Sequence, residues 1–145
     1  MDINHSAPVA AQADITIDAP QENVWETLVN VDRWPDWNPD VKSVTLEGGI
    51  HEGGVFRWKT GSGTIRSTFE TVDPPHHVAW TGTSLGIKAI HVWSLEPVAG
   101  TTTIRTAESF EGFPARLMRR RLQNTLQTTL EKTLQTLKAE VERTK

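Results

Sequence analysis

The chain has 145 residues, a formal net charge of −3 and no cysteine, which is the size of one ordinary domain. Without cysteine there is no disulfide, thiolate metal site or cysteine nucleophile, and this fits a cytoplasmic protein. A negative net charge argues against nucleic-acid binding, which usually requires a basic surface. No stretch approaches the roughly 20 apolar residues of a membrane-spanning helix, so we expect no integral membrane association.

The first elements of the chain are predicted to be a tail, a strand and two short helices. Residues 1–12 lack the basic and apolar regions of a secretion signal and are predicted to be a flexible tail. Residues 13–17 alternate apolar and polar side chains, which predicts a half-buried strand, and a helix begins near Pro20. Residues 31–40 contain two prolines and two tryptophans, so this segment is limited to a single helical turn.

Three of the six tryptophans fall in these helices. We assign Trp25 to the core and expect Trp34 to pin the helical turn onto a sheet. Trp37 has two interpretations, a packing role like that of Trp34 or a place in a lid over a cavity mouth.

The middle of the chain is predicted to be an antiparallel meander. Short runs with period-2 patterning are separated by turns rich in glycine and proline. The six predicted strands are Val41–Leu46, Val55–Thr60, Thr64–Val72, His77–Gly82, Ile87–Leu95 and Thr101–Phe110.

The end of the chain is predicted to be one long amphipathic helix from Pro114 to Arg143, because its apolar residues recur three to five apart. A coiled-coil dimerisation helix is the alternative, but the apolar row is not a sustained heptad. Packing the helix across the meander buries both apolar faces. The sequence therefore predicts a two-layer α+β domain.

Five stretches together resemble the START-like superfamily, also called SRPBCC, and within it the polyketide cyclase/dehydrase family. These stretches are residues 15–25, 31–39, 70–80, 91–97 and 101–112. The resemblance implies the helix-grip fold, in which a curved antiparallel sheet of about seven strands wraps around a long C-terminal helix. It also implies one ligand-binding domain over residues 13–145, with a cavity between sheet and helix and no cofactor. Members of the superfamily bind lipids, sterols, hormones or polyketides, and a few catalyse cyclisation or dehydration.

Period-2 alternation, anchored on the large apolar residues, sorts the strand residues that would face such a cavity. Three leucines of the long helix are expected to face them, and Trp37 is added from the lid interpretation. The predicted ligand-binding residues are Trp37, Phe56, Trp58, Phe69, Trp80, His91, Trp93, Thr106, Glu108, Phe110, Leu117, Leu122 and Leu126.

His91 and Glu108 are the two titratable residues in this set. If their strands are neighbours, as consecutive strands usually are, the imidazole and the carboxyl meet inside the cavity. The pair could be a structural polar bridge, could bind a polar group of a ligand, or could transfer protons as acid and base. They are the only catalytic candidates.

Three functions remain open, and binding of a small hydrophobic molecule is favoured over catalysis. The alternatives are a polyketide cyclase/dehydrase-like enzyme using Glu108 and His91, and a module resembling the chaperone activators that binds a protein partner while its tryptophans fill the cavity. No spacing of His, Asp or Glu predicts a metal site. The basic run 116–121 is interpreted as a solvated face, and the alternatives are that it attracts acidic ligand head groups, an anionic membrane surface or a partner. The oligomeric state, monomer or homodimer, is left open.

Overall fold

The computed structural model describes residues 1–145, which form one seven-stranded antiparallel sheet and four helices. The strands follow the order β1-β7-β6-β5-β4-β3-β2 across the sheet. They are β1 (Val9–Ile17), β2 (Val41–Glu47), β3 (Val55–Thr60), β4 (Gly63–Asp73), β5 (His77–Ser84), β6 (Ile87–Val98) and β7 (Thr101–Glu111). The helices are α1 (Gln21–Val29), α2 (Trp34–Trp37), α3 (Phe113–Leu117) and α4 (Arg119–Thr144), with a 3₁₀ turn at Val31–Arg33. The predicted α+β helix-grip architecture is confirmed.

Two hairpins are tighter than the sequence patterns predict. β5 and β6 are joined by Leu85 and Gly86 alone, and β6 and β7 by Ala99 and Gly100 alone. All four residues have positive φ, from 50° to 86°, which is the signature of two-residue turns that match the twist of the flanking strands. Both strand pairs therefore extend further than predicted, with Ser84 opposite Ile87 at the end of the first hairpin.

β1 begins at Val9, four residues earlier than the alternation in the sequence predicts. Residues 9–12, which the sequence analysis assigns to the flexible tail, pair with β7. Ahead of them, Ile3 is buried on the outer face of the sheet, and the backbone N–H of Asn4 donates to Oγ of Ser109. Alanine at both inner and outer positions of β1 hides the alternation, because alanine is compatible with either face.

α4 covers the free edge of β1 as well as the inner face of the sheet. The Gln123 side chain accepts a hydrogen bond from the backbone N–H of Ala10 and donates one to its carbonyl oxygen. Further along, Gln127 donates to the carbonyl of Gln12 and Lys138 to that of Thr16. Side chains of α4 thus satisfy edge groups that would otherwise offer a template for another strand.

Replacing Gln123 by alanine is expected to lower the free energy of unfolding by about 1–3 kcal/mol, because two hydrogen bonds to β1 are lost. Gln135 lies exposed on the same helix, so Gln135→Ala is the matched control and should change stability by less than about 0.5 kcal/mol. Urea unfolding followed by circular dichroism measures both. Equal stability of the two variants would show that the edge contacts are dispensable.

The predicted single C-terminal helix is two helices, which is a correction. At Met118 the backbone leaves the helical region (φ −106°, ψ 30°), so α3 ends there and α4 begins at Arg119. This break turns Leu117 outward, with 72% of its surface exposed, and its predicted inward orientation is wrong. The apolar row of α4 consists of Leu126, Leu130, Leu134, Leu137 and Val141. These side chains are buried within their own chain, which removes the basis for a coiled coil.

Candidate functional site

The inner face of the sheet carries the strand residues that the sequence predicts to face inward. Antiparallel pairing places Phe69 opposite Trp80, Trp80 opposite His91, and His91 opposite Glu108. Directly opposed residues share one face of a sheet. A single row of side chains therefore crosses four strands, and the predicted meeting of His91 and Glu108 is confirmed.

An aromatic cluster fills one half of this face. Its members are Trp34, Phe56, Trp58, Phe69, Trp80 and Trp93. Neighbouring ring centroids lie 4.9–6.2 Å apart, the range of favourable aromatic contacts. Trp34 is at its centre, touching Phe56, Trp58 and Trp80, and its indole N–H donates to the carbonyl of Leu28. The predicted pinning role of Trp34 is confirmed, and Trp25 is also buried as predicted.

The helix residues packed over the aromatic cluster differ from those predicted. Leu134, Leu137 and Val141, in the C-terminal half of α4, share the core with the aromatic side chains. Leu126 instead packs in a second core with Val9, where Leu122 is half-buried. The direction in which the helix crosses the sheet determines this pairing, and helical periodicity carries no information about that direction.

Part of the inner face is only half-buried, and this part includes Trp58 at the margin of the aromatic cluster. Here the predicted residues Trp58, Glu108 and Phe110 are half-buried, and so are Ile65 and Ala89. Ile65 and Ala89 were not among the predicted ligand contacts, since the prediction was anchored on large side chains. We call Trp58, Ile65, Ala89, Glu108 and Phe110 the open inner face. Each of these side chains keeps part of its surface accessible.

A chain of polar groups fixes the protonation of His91. Nε2 of His91 lies 2.8 Å from Oγ1 of Thr106, and that hydroxyl donates to the carbonyl oxygen of Val92 at 3.1 Å. The hydroxyl of Thr106 has a single proton, which it donates to the carbonyl oxygen of Val92. Its oxygen is therefore the acceptor toward His91, and Nε2 of His91 carries the proton that it donates. The lone pair of Nδ1 is then free, and Nδ1 lies 3.6 Å from Oε1 of Glu108.

Glu108 and His91 are uncharged together near neutral pH. Burial raises the pKa of the Glu108 carboxyl to about 8 and lowers the pKa of the His91 imidazole to about 3, because desolvation disfavours the charged form of each. The separation of 3.6 Å is too long for a hydrogen bond, and the Glu108 carboxyl bonds to no other protein group. The site therefore presents a neutral acid and a neutral base with unused hydrogen-bonding capacity.

Two indole N–H groups on this side of the sheet also lack partners. Nε1 of Trp37 and Nε1 of Trp93 are buried without a hydrogen bond, although buried polar groups are nearly always paired. Trp37 itself is half-buried beside the aromatic cluster. Both positions belong to the predicted set, but a sequence cannot reveal that their donors are unpaired.

Other kinds of site are not found in the structure. No group of three or more His, Asp and Glu side chains lies close enough to hold a metal ion. None of the helices combines the length and apolar composition that crossing a bilayer requires.

Comparison with known proteins agrees with this architecture. The family model described as "Polyketide cyclase / dehydrase and lipid transport" matches residues 8–142, whereas no curated protein matches the sequence. A hypothetical protein of Helicobacter pylori is similar in structure with a TM-score of 0.85 and 16% identity, over 96% of this chain and 91% of that one.

Two further solved structures share the fold. The Zhui aromatase/cyclase of Streptomyces sp. R1128 has a TM-score of 0.79 and 18% identity, over 92% of this chain and 93% of that one. A START superfamily protein of Mycobacterium smegmatis has a TM-score of 0.76 and 15% identity, over 94% of this chain and 99% of that one. Since the family model covers nearly the whole sequence, this chain belongs to the polyketide cyclase / dehydrase and lipid transport family.

Proposed function

We propose that this protein binds a small, largely apolar molecule on the open inner face, with Glu108 and His91 contacting its polar end. The observation that carries the proposal is the Glu108 carboxyl, which is largely buried, has its pKa raised to about 8 and makes no protein hydrogen bond. A ligand hydroxyl or carbonyl can hydrogen-bond to this carboxyl, while the surrounding apolar side chains supply most of the affinity.

The division of the inner face limits the size of the ligand. Phe56, Phe69, Trp80 and Trp93 are buried and packed against one another, so they form a fixed wall behind the site. Ligand contact falls instead to the half-buried residues around Glu108. A molecule of one or two rings fits this arrangement better than a long chain or a fused sterol.

Paired probes test the proposal, because naphthalene and 2-naphthol differ only by a hydroxyl group. We expect the wild-type protein to bind 2-naphthol up to about tenfold more tightly, which corresponds to one hydrogen bond. Glu108→Leu should abolish this preference while still binding naphthalene. Isothermal titration calorimetry measures all the affinities.

Glu96→Leu is the control for this experiment, since Glu96 is exposed on β6, the strand that pairs with the strand of Glu108. It should keep the preference for 2-naphthol. If neither probe binds the wild-type protein, or if Glu108→Leu keeps the preference, the proposed site is wrong. In that case the aromatic side chains are simply core, as expected for a module that binds a protein partner.

Proton transfer is the second candidate function, and the distance of 3.6 Å between Nδ1 of His91 and Oε1 of Glu108 favours it. A carboxyl whose pKa is about 8 can act as a general acid near neutral pH, and the free Nδ1 can accept a proton. Glu108→Gln separates the two functions. Glutamine still hydrogen-bonds a neutral ligand, so a binding protein keeps its affinity, whereas an enzyme loses turnover.

A further inference from the structure

Large apolar side chains are exposed mainly at one end of the molecule. Of the six exposed large hydrophobic residues, four lie in α3, directly after it, or at the tip of the β5–β6 hairpin, with 41–79% of their surface exposed. They are Leu85, Phe113, Leu117 and Met118, called here the apical patch. The hairpin touches α3, since a Cβ atom on Gly86 would lie 3.4 Å from Cγ of Pro114. The hairpin tip and α3 are therefore neighbours.

Leu85 occupies an unfavourable backbone conformation within this patch. Its φ is 50°, a left-handed value that costs a side-chain-bearing residue roughly 1–2 kcal/mol relative to its usual conformations. Its side chain is 79% exposed, so packing within the protein does not offset the cost. What the position provides is an apolar side chain that projects outward from the hairpin tip.

Four unneutralised positive charges adjoin the apical patch. They belong to Arg116, Arg119, Arg120 and Arg121, all exposed. None of them forms an ion pair with an acidic side chain, and no Asp or Glu occurs anywhere in residues 112–130. Although the chain as a whole has a net charge of −3, this end is locally positive. The predicted solvated face is thus solvated but also interleaved with apolar side chains.

A short helix that presents leucine, phenylalanine and methionine beside arginines has the composition of an element that lies in a membrane interface. The apolar side chains can insert among the acyl chains, and the arginines can contact lipid phosphates. Each basic residue near an anionic surface contributes about 1 kcal/mol. We propose that the apical patch and its four arginines dock this protein onto anionic lipid bilayers.

The position of α3 connects this docking surface to the open inner face. Ala115, on the side of α3 opposite the apical patch, is fully buried in the second core, which Phe110 and Leu122 flank. The same short helix thus covers one end of the open inner face and carries the apical patch. If the proposed function holds, docking places this end against the bilayer, so that an apolar ligand exchanges with lipid without crossing water.

Vesicle co-sedimentation tests the docking surface. The wild-type protein is expected to sediment with vesicles of phosphatidylcholine mixed with phosphatidylglycerol and not with phosphatidylcholine alone, and the bound fraction should fall as salt is added. Arg120→Gln and Arg121→Gln should each lower the partition coefficient about fivefold. Lys42→Gln and Lys59→Gln, at exposed sites on β2 and β3, are the charge-matched controls and should bind as the wild type does.

A fluorescent label reports insertion directly, because the chain has no cysteine and accepts a single introduced one. Leu117→Cys, labelled with a polarity-sensitive nitrobenzoxadiazole group, is expected to shift its emission to the blue on anionic vesicles. Val98→Cys, at an exposed position on another hairpin, should show no shift. A label at position 117 that stays in water while the protein sediments would overturn insertion of the apical patch.

The outcomes separate this proposal from the proposed function. Failure of the wild-type protein to bind anionic vesicles at low salt overturns the docking surface, and a protein with an acidic surface then becomes the better partner for it. The affinity for 2-naphthol is measured without vesicles. If the wild-type protein binds anionic vesicles but does not bind 2-naphthol, the proposed ligand site is wrong and the docking surface stands.

Discussion

Replacing Trp34 by alanine is expected to lower the free energy of unfolding by about 3–5 kcal/mol, as measured by urea denaturation. This side chain is 5% exposed and touches Phe56, Trp58 and Trp80. Its truncation leaves a large gap at the centre of the aromatic cluster and an unpaired carbonyl on Leu28. Because domains of this kind are stable by only about 5–15 kcal/mol, the variant should be close to unfolding at body temperature.

The matched control is Phe113→Ala, which removes an aromatic side chain that is 75% exposed. It should change the free energy of unfolding by less than about 0.5 kcal/mol. A Trp34→Ala variant with nearly wild-type stability would mean that the surrounding rings close the gap. The aromatic cluster would then be a deformable filling rather than the fixed wall behind a binding site.

Replacing Glu108 by glutamine is expected to flatten the pH dependence of stability above pH 6.5. The carboxyl has a pKa of about 8 in the folded protein and 4.5 as its ordinary value. Between these values the folded chain keeps a proton that the unfolded chain has released. The free energy of unfolding therefore falls as the pH rises, by up to about 1.4 kcal/mol per pH unit.

His91 has the opposite effect over a lower range. Its pKa falls from 6.5 to about 3 on folding, so its contribution to stability is lost as the pH falls below 6.5. Between pH 4.5 and 6.5 the two slopes cancel, and above pH 6.5 only that of Glu108 remains. Urea unfolding at a series of pH values should show this slope in the wild type and in Glu96→Gln, and its absence in Glu108→Gln. An unchanged slope in Glu108→Gln would mean that Glu108 is already ionised in the folded protein.

The sequence predicts the sheet and its inward face well because strand patterning is local. Side chains alternate with a period of two along every strand, and the turns between strands contain glycine or proline at the predicted places. Consecutive strands are neighbours in the meander, so the sequence can predict that His91 lies opposite Glu108 without any long-range information. The same logic places Trp80 next to His91.

Features that depend on how elements pack were not predictable in the same way. The break at Met118 has no proline or glycine to mark it, so the sequence pattern predicts one helix where there are two and an inward Leu117 where that side chain is exposed. The alanines of β1 concealed the strand residues 9–12. The role of Gln123 at the sheet edge depends on the three-dimensional position of α4 along β1, which periodicity does not contain.

The aromatic cluster also determines how this protein interacts with light. The chain contains six tryptophans and no tyrosine, so its near-ultraviolet absorption and emission come almost wholly from indole. The ring centroid of Trp34 lies 5.3 Å from that of Trp58 and 5.4 Å from that of Trp80, close enough for their electronic transitions to couple and exchange excitation. Emission excited at any of these three therefore reports on the aromatic cluster, and their coupled transitions add a circular-dichroism band to that of the backbone.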